Sequence, residues 1–179
     1  MVNGAENILR NSSYATLAIW IKPKKGSHYP QDVISVAVGG INPLQTSSRA
    51  ALRLDTGGRL YGIARSTDTE AAQSAVTESV LVNNRWQHIA LVVDYANNTM
   101  EFYHDGKLIS AKGRIRFKSK KTPDTPSRWV AIGSEDDGLS RHFEGELKHA
   151  GIWNRKFSQE DIKVLIEEFT NQMNRIGGF

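Results

Sequence analysis

Positive side chains recur at every second position in one segment of the chain, and this spacing could bind an anion. The residues of this basic stripe are the alternating cations Lys112, Arg114, Arg116, Lys118 and Lys120, together with the adjacent Lys121. In an extended backbone alternate side chains project to the same side, so the cations would form one positive surface. Ile115 and Phe117 would then face inward. Like charges placed this closely repel one another, which favours a role with an anionic partner.

Two interpretations of the basic stripe remain open. Lysines on an edge strand protect a sheet from pairing with another sheet. Alternatively, the stripe docks on the acidic protein surface of an assembly, such as coat or tail proteins, or on an acidic glycan. A nucleic acid is disfavoured, because aromatic residues do not alternate with the cations as they do on single-strand platforms.

Two further positions could contact a ligand. Packing is the favoured interpretation for all four tryptophans, Trp20, Trp86, Trp129 and Trp153, and Trp129 is the first candidate for stacking on a glycan ring. The acidic run 134–138 ends in a glycine, and clustered carboxylates in a loop can surround a calcium ion. An ordinary solvated loop explains the same run, so no metal ligand is assigned and calcium stays an open option.

Catalytic patterns are weak. Glycanases with paired carboxylates need two acids on one strand face, and the nearest approach is Glu144 with Glu146. Lyase chemistry is disfavoured as well, because the adjacent residues Gln87 and His88 would point to opposite faces of a strand. The five histidines show no metal-ligand spacing, and no phosphate-binding glycine motif occurs. The sequence therefore predicts a protein that is not an enzyme.

Composition limits the remaining classes. The chain has 179 residues, a net charge of +4 and no cysteine, which predicts one domain spanning 1–179 without disulfides or thiol chemistry. Residues 107–128 hold eight cations and one acid, a local net charge of +7. The rest of the chain therefore carries −3, so positive charge is concentrated in one segment. No apolar run is long enough to span a bilayer, and no membrane contact is predicted.

The N-terminus lacks a basic stretch followed by an apolar one, so no export signal is predicted. We expect synthesis in the cytoplasm, with association with a virion as one destination.

Hydrophobic alternation with a period of two runs through the chain from residue 14 to residue 157. It predicts about eleven short strands, at 16–22, 33–38, 50–54, 59–64, 79–82, 86–94, 99–104, 107–111, 115–117, 129–133 and 143–153. The turn sequences 55–58, 96–98 and 105–106 separate neighbouring runs as antiparallel hairpins require. The pattern indicates an all-β fold with two antiparallel sheets.

One helix is predicted over 158–171. Ser158 is a favourable N-cap, and acidic residues follow in the first turn, where the helix dipole favours them. Ile162, Leu165, Ile166 and Phe169 form an apolar stripe at helical spacing, so the helix should lie on the sandwich. The tail 172–179 has no periodicity of its own.

The order of several segments resembles the concanavalin A-like, laminin-G-like jelly rolls of the pentraxin type. The similar segments are 17–23, 52–60, 86–94, 102–108, 131–133, 143–155 and 158–162. The resemblance implies a jelly-roll β-sandwich of two antiparallel sheets closed by a short helix. Lys148-His149 stand where the family often has an acidic pair, which puts the family's calcium site in doubt.

Because this architecture hosts several functions, the fold does not decide among them. We expect a non-catalytic structural or adhesion protein that docks on a larger assembly, as a surface or decoration protein of a bacteriophage-type virion. The alternative is a lectin-like carbohydrate-binding module, with or without calcium, and a glycan hydrolase comes a distant third. Self-association is possible on either interpretation.

Overall fold

The computed structural model describes residues 7–25, 30–38, 48–55, 57–79, 81–135 and 140–175. These residues form eleven strands and one helix. The elements are β1 (Tyr14–Pro23), β2 (Gln31–Ala37), β3 (Ser48–Asp55), β4 (Arg59–Ala64), β5 (Gln73–Ser79), β6 (Gln87–Asp94), β7 (Thr99–His104), β8 (Lys107–Ile109), β9 (Ala111–Lys112), β10 (Val130–Ile132), β11 (Gly145–Trp153) and α1 (Gln159–Arg175).

The strands form two antiparallel sheets. The five-stranded sheet has the order β11-β1-β6-β7-β8, and the six-stranded sheet has the order β10-β2-β3-β4-β5-β9. Strands distant in sequence are neighbours in both sheets, for example β1 with β11 and β2 with β10. The predicted antiparallel jelly-roll β-sandwich is confirmed.

The main core fills the space between the sheets. Leu17 and Ile19 of β1 and Leu91 of β6 meet Leu52 of β3, and all four side chains are fully buried. Gly62 of β4 faces the same space, and a Cβ atom there would lie 2.7 Å from Cζ of Phe102. The inner residue of each strand is thus committed to packing, and its neighbours project to the outer face.

Helix α1 covers the outer face of the five-stranded sheet. Ile162 and Leu165 are buried against Ala90 and Tyr103 of that sheet, and Phe169 packs at the margin. These contacts confirm that the apolar stripe of the helix lies on the sandwich. The helix extends to Arg175, beyond residue 171 where the prediction ends it, so part of the predicted tail 172–179 is helical.

The tight turns follow their sequence signals. Asp105 and Gly106, between β7 and β8, have φ values of 46° and 76°, as a turn with two left-handed residues requires. The Asp105 carboxylate also accepts a hydrogen bond of 2.8 Å from the backbone N–H of His88. Gly57 and Gly58 adopt positive φ between β3 and β4.

Two predicted strands are wrong. Residues 81–82 lie outside the sheets, and the strand of this region is β5, which precedes them. The sequence pattern does not predict β5, because small and polar side chains occupy its inward positions, Ala75 and Thr77, where longer aliphatic residues would indicate a strand. Residues 115–117 form no ladder, although their apolar side chains do face inward.

We predict that Ser158→Ala lowers the free energy of unfolding by about 1 kcal/mol. The Ser158 hydroxyl accepts a hydrogen bond from the backbone N–H of Asp161, whose carboxylate in turn accepts one of 2.7 Å from the Ser158 N–H. Chemical denaturation measures the change. Ser110→Ala, at an exposed serine outside the helix, is the control, and an equal loss in both variants would contradict the capping role.

His88 is a fully buried ring on the face that α1 covers. Its ring meets Trp20 edge-on, with 5.6 Å between the ring centroids. Burial is the main cause that lowers the pKa of His88 to about 4, with His104 adding to the effect and Asp105 opposing it. Within the described part of the chain, neither ring nitrogen has a hydrogen-bond partner.

This burial predicts a specific acid sensitivity. Between pH 6.5 and 4 the unfolded chain binds the His88 proton and the folded chain does not, so stability falls as the pH is lowered, by up to about 3 kcal/mol. Denaturation curves of His88→Leu over this range should show a shallower dependence on pH than the parent. His142→Leu, at an exposed histidine, should keep the parent dependence; identical curves for parent and His88→Leu would refute the prediction.

Candidate functional site

The outer face of the six-stranded sheet is the face that α1 leaves open. One row of residues crosses it from strand to strand in register: Asp32, Arg53, Tyr61, Val76 and Lys112. Registered residues of antiparallel strands point to the same side, and the neighbours of Arg53 and Tyr61 belong to the core. The row therefore lies on the outer face.

A groove of about 340 Å³ opens in the middle of this row. Its described lining consists of Pro30, Arg53, Leu54, Asp55, Tyr61 and Arg141. A second depression of about 240 Å³ lies at the end of the row and includes Val76 and Lys112. The two depressions are neighbours, since Asp55 of the groove forms an ion pair of 2.5 Å with Arg59 of the second depression.

An ion network forms the floor of the groove. Arg53 Nε lies 2.7 Å from Asp32 Oδ1, and Arg53 Nη2 lies 3.6 Å from Glu135 Oε1. Arg141 Nη1 donates a 2.6 Å hydrogen bond to the same Glu135 oxygen. Arg53 is thereby fixed with a side chain only 11% exposed, whereas the Arg141 side chain is 36% exposed. Arg141 is the more accessible cation of the groove.

Burial raises the pKa of Asp32 to about 6, against the opposing effect of Arg53 and Arg141. The carboxyl is fully buried beneath the groove. Its charge is therefore less stable than that of an exposed aspartate, even beside a guanidinium group 2.7 Å away.

The groove combines one aromatic ring with groups of both hydrogen-bonding types. Arg53 and Arg141 are pure donors, Asp55 is a pure acceptor, and the Tyr61 hydroxyl can do both. Planar charged groups next to an apolar ring suit a ligand with many hydroxyl groups and one apolar face.

The basic stripe begins at the end of the same row, at Lys112. All six of its side chains are exposed, and the intervening Ile115 and Phe117 are half-buried against the main core. The predicted alternation of exposed cations with inward apolar residues is therefore present. Only Lys112 lies in a strand, because the residues from 113 to 121 follow the sheet edge without a ladder.

Trp129 is half-buried directly before β10 and lines neither depression. The Arg128 guanidinium lies 4.2 Å from the centre of its ring. Within the described residues its indole N–H has no acceptor. Its role in glycan stacking stays a prediction. Trp86 is similarly covered, by Lys148 at 4.6 Å.

The candidate calcium loop 134–138 is described only at its first two residues. Glu135 is buried, and its carboxylate accepts hydrogen bonds from Arg141 and the Ser140 hydroxyl and forms an ion pair with Arg53. A calcium ion at this carboxylate would face two guanidinium groups, which is the wrong electrostatic environment for a cation. The described ranges contain no group of three acidic or histidine side chains arranged for a metal.

The carboxylates considered for glycan hydrolysis do not form a pair on one strand. Glu144 precedes β11, while Glu146 lies within it and bonds Lys22 at 2.7 Å. This hydrogen bond lowers the pKa of Glu146, which is opposite to the change a general acid needs. Gln87 and His88 do point to opposite faces, and Gln87 bonds the backbone of Val82.

Sequence reasoning missed the groove residues Arg53, Asp55, Tyr61 and Arg141. Arg53 and Tyr61 could have been aligned, since they occupy outward positions of two strands joined by a recognisable hairpin. Arg141 could not, because it reaches the groove from a loop far along the chain. In the described part of the chain no helix combines the length and hydropathy needed to cross a bilayer.

Comparison with known families agrees with this architecture. The laminin-G-type model of the concanavalin A-like lectin/glucanases superfamily matches residues 2–163. The chain belongs to this superfamily, and the predicted family resemblance is confirmed. A search of curated protein sequences finds no match.

Solved structures share the fold. One is the CBM40 of the Ruminococcus gnavus IT-sialidase bound to α2,3-sialyllactose, with 18% identity, a TM-score of 0.69 and coverage of 90% of this chain and 86% of that one. A SAP-like pentraxin from Limulus polyphemus has 15% identity, a TM-score of 0.62 and coverage of 87% and 70%. The receptor-binding domain of a botulinum neurotoxin C/D mosaic has 19% identity and a TM-score of 0.61, covering 88% and 36%.

We predict that Asp32 makes folding less favourable as the pH rises. The folded state holds the Asp32 proton up to about pH 6 and the unfolded state only to about 3.8, so stability from this group is full below 3.8 and is lost through pH 6. The change is about 3 kcal/mol. Asp32→Asn should remove this contribution in denaturation curves recorded from pH 4 to 7.

His88 acts in the opposite direction over much of this range, so the informative quantity is the difference between variant and parent. Asp124→Asn, at an exposed aspartate, is the control and should follow the parent. An Asp32→Asn curve parallel to the parent at every pH would contradict the assignment.

Proposed function

We propose that this protein is a non-catalytic glycan-binding module that holds a sugar in the groove of the six-stranded sheet. The observation that carries the proposal is the groove itself: Tyr61 presents a ring beside the carboxylate of Asp55 and the guanidinium group of Arg141. Sugars have an apolar ring face and a rim of hydroxyl groups, which this arrangement complements.

The described groove is nearly neutral when its floor is included. Arg53 and Arg141 pair with Asp32 and Glu135, and Asp55 pairs with Arg59. The groove therefore recognises hydroxyl groups by paired donors and acceptors and does not by itself demand an anionic sugar. The sialyllactose-bound relative supports a glycan ligand in general.

The absence of a suitable carboxylate pair at Glu144 and Glu146 supports binding without hydrolysis. Calcium dependence stays a prediction, and the position of Glu135 between two arginines argues against that residue as a ligand. Binding should therefore persist in chelator.

Docking on a virion or another assembly stays a prediction of the sequence. No feature of the groove favours docking on an assembly. The basic stripe is the feature from which that docking is predicted. A glycan-binding module that is attached to an assembly would combine glycan binding in the groove with the predicted docking on a virion.

We predict that Tyr61→Ala lowers the affinity for glycans retained on an array by about tenfold, because the stacking surface is lost. Arg141→Ala should lower the affinity by a similar factor through lost hydrogen bonds. Isothermal titration with the array ligand measures both, with and without chelator.

Tyr61→Phe keeps the ring and should retain most of the affinity. Trp86→Ala removes a half-buried aromatic residue outside the groove lining and serves as the matched control. The proposal fails if no glycan binds, or if Tyr61→Ala and Trp86→Ala behave alike while both remain folded by circular dichroism.

A further inference from the structure

The basic stripe is joined to the groove by the register of the sheet. Arg53, Tyr61, Val76 and Lys112 are successive members of one row, so Lys112 stands three strands away from Arg53. At about 4.8 Å per strand the two backbones are about 14 Å apart. A chain-like ligand leaving the groove along this row would reach the first cation of the stripe.

Protection of the sheet edge does not explain the other cations. β9 pairs with β5 only through Ala111 and Lys112. From Gly113 onward the segment forms no ladder with β5, so Arg114, Arg116 and Lys118 are not part of an edge strand. A charged edge strand accounts for Lys112, whereas Arg114, Arg116, Lys118, Lys120 and Lys121 lie beyond the ladder.

The segment that carries the stripe is held in place by side chains of other loops. The backbone N–H of Arg116 donates to Gln73 at 3.0 Å, and that of Phe117 donates to Asn98 at 2.7 Å. The N–H of Lys118 donates to the buried carboxylate of Glu70 at 3.2 Å. The cations are thus presented from a fixed backbone, which lowers the entropy cost of ordering a partner on them.

The cations are also unneutralised. Lys112 has one long contact of 3.6 Å with Glu78, and both side chains are at least 80% exposed. Across the ranges that the structure describes, no acidic side chain pairs with the other five cations: Arg114, Arg116, Lys118, Lys120 and Lys121. Five of the six cations of the stripe therefore form a positive surface that the described acids do not neutralise.

The chemistry around the stripe selects among anionic partners. Phe117 is turned inward, with its ring centroid 4.7 Å from that of Tyr95, so the described residues of the stripe offer no aromatic platform for nucleic-acid bases. The described large hydrophobic side chains that are exposed are Val82, Leu108 and Val164, and none belongs to the stripe. A protein interface would need an apolar centre here.

We propose that the basic stripe binds a polyanionic glycan chain whose neighbouring sugars occupy the groove. The inference rests on the proposed glycan-binding function and specifies its ligand class as a polymer with a carboxylate or sulfate on successive sugars. The groove recognises a sugar unit, and the stripe supplies salt-dependent affinity and the preference for negative charge.

The test uses an oligogalacturonate of ten sugars and its fully methyl-esterified form, which has the same backbone without charge. We expect the acidic chain to bind the full-length protein, with an affinity that falls as salt rises. The triple reversal Arg114→Glu, Arg116→Glu and Lys118→Glu should weaken this binding about 100-fold at low salt. The esterified chain should bind parent and triple variant equally.

The matched control reverses three exposed lysines elsewhere: Lys25→Glu, Lys107→Glu and Lys163→Glu. It changes the net charge equally, so an equal loss in both triple variants would show a general charge effect and overturn the proposal. Unchanged binding in the stripe variant would also overturn it. Both variants are first compared with the parent by thermal unfolding.

Two further probes test the class of partner. Single-stranded dT10 and a ten-residue polyglutamate carry comparable charge on other backbones. Tighter binding of either one than of the acidic decasaccharide would overturn the glycan assignment. The groove is tested independently: if Tyr61→Ala abolishes array binding while the stripe variant has no effect, the proposed function stands and this inference fails.

Discussion

Burial of the two inner sheet faces determines which side chains every strand can present to a ligand. Leu52 and Leu54 must point inward, so Arg53 between them must point outward, and the same alternation places Tyr61 outside Leu60 and Gly62. A shift of one residue in register would exchange these sets. The groove is therefore a consequence of core packing on the other side of the same backbone.

The helix makes the two outer faces unequal. Its apolar stripe packs on the outer face of the five-stranded sheet, and on this face the fully buried His88 has a depressed pKa. On the six-stranded sheet, the Asp32–Arg53 pair replaces apolar packing. Buried ion pairs contribute little net stability, since desolvation offsets their attraction. Here the pair fixes Arg53 in one position beneath the groove, which is a gain in preorganisation for any ligand above it.

Local signals predicted the fold well because most elements depend on nearby residues. The hairpin at Asp105-Gly106 and the cap at Ser158 are such cases. The prediction is wrong at β5, because this strand depends on its pairing with β4 and β9 and not on its own hydrophobicity. The candidate site was predictable only in its continuous part, the basic stripe. Arg141 enters the groove through a loop that pairs with Glu135 and Asp32, and no pattern in the chain encodes that contact.

The charged residues of the protein fall into two groups, those in ion pairs that hold the fold and the exposed cations of the basic stripe. Several acids outside residues 107–128 pair with arginines, as in Arg49 with Asp68, where a fully buried guanidinium group meets a carboxylate at 2.9 Å. The Arg49 group also donates to the backbone carbonyl of Thr125, just beyond the stripe, and so anchors the chain where the cations end. The fold thus uses one arginine to fix this segment and leaves the cations of the stripe exposed. Positive charge that neither stabilises the core nor pairs with the described acids is available for a ligand, and the row through Tyr61 gives that ligand a path to the groove.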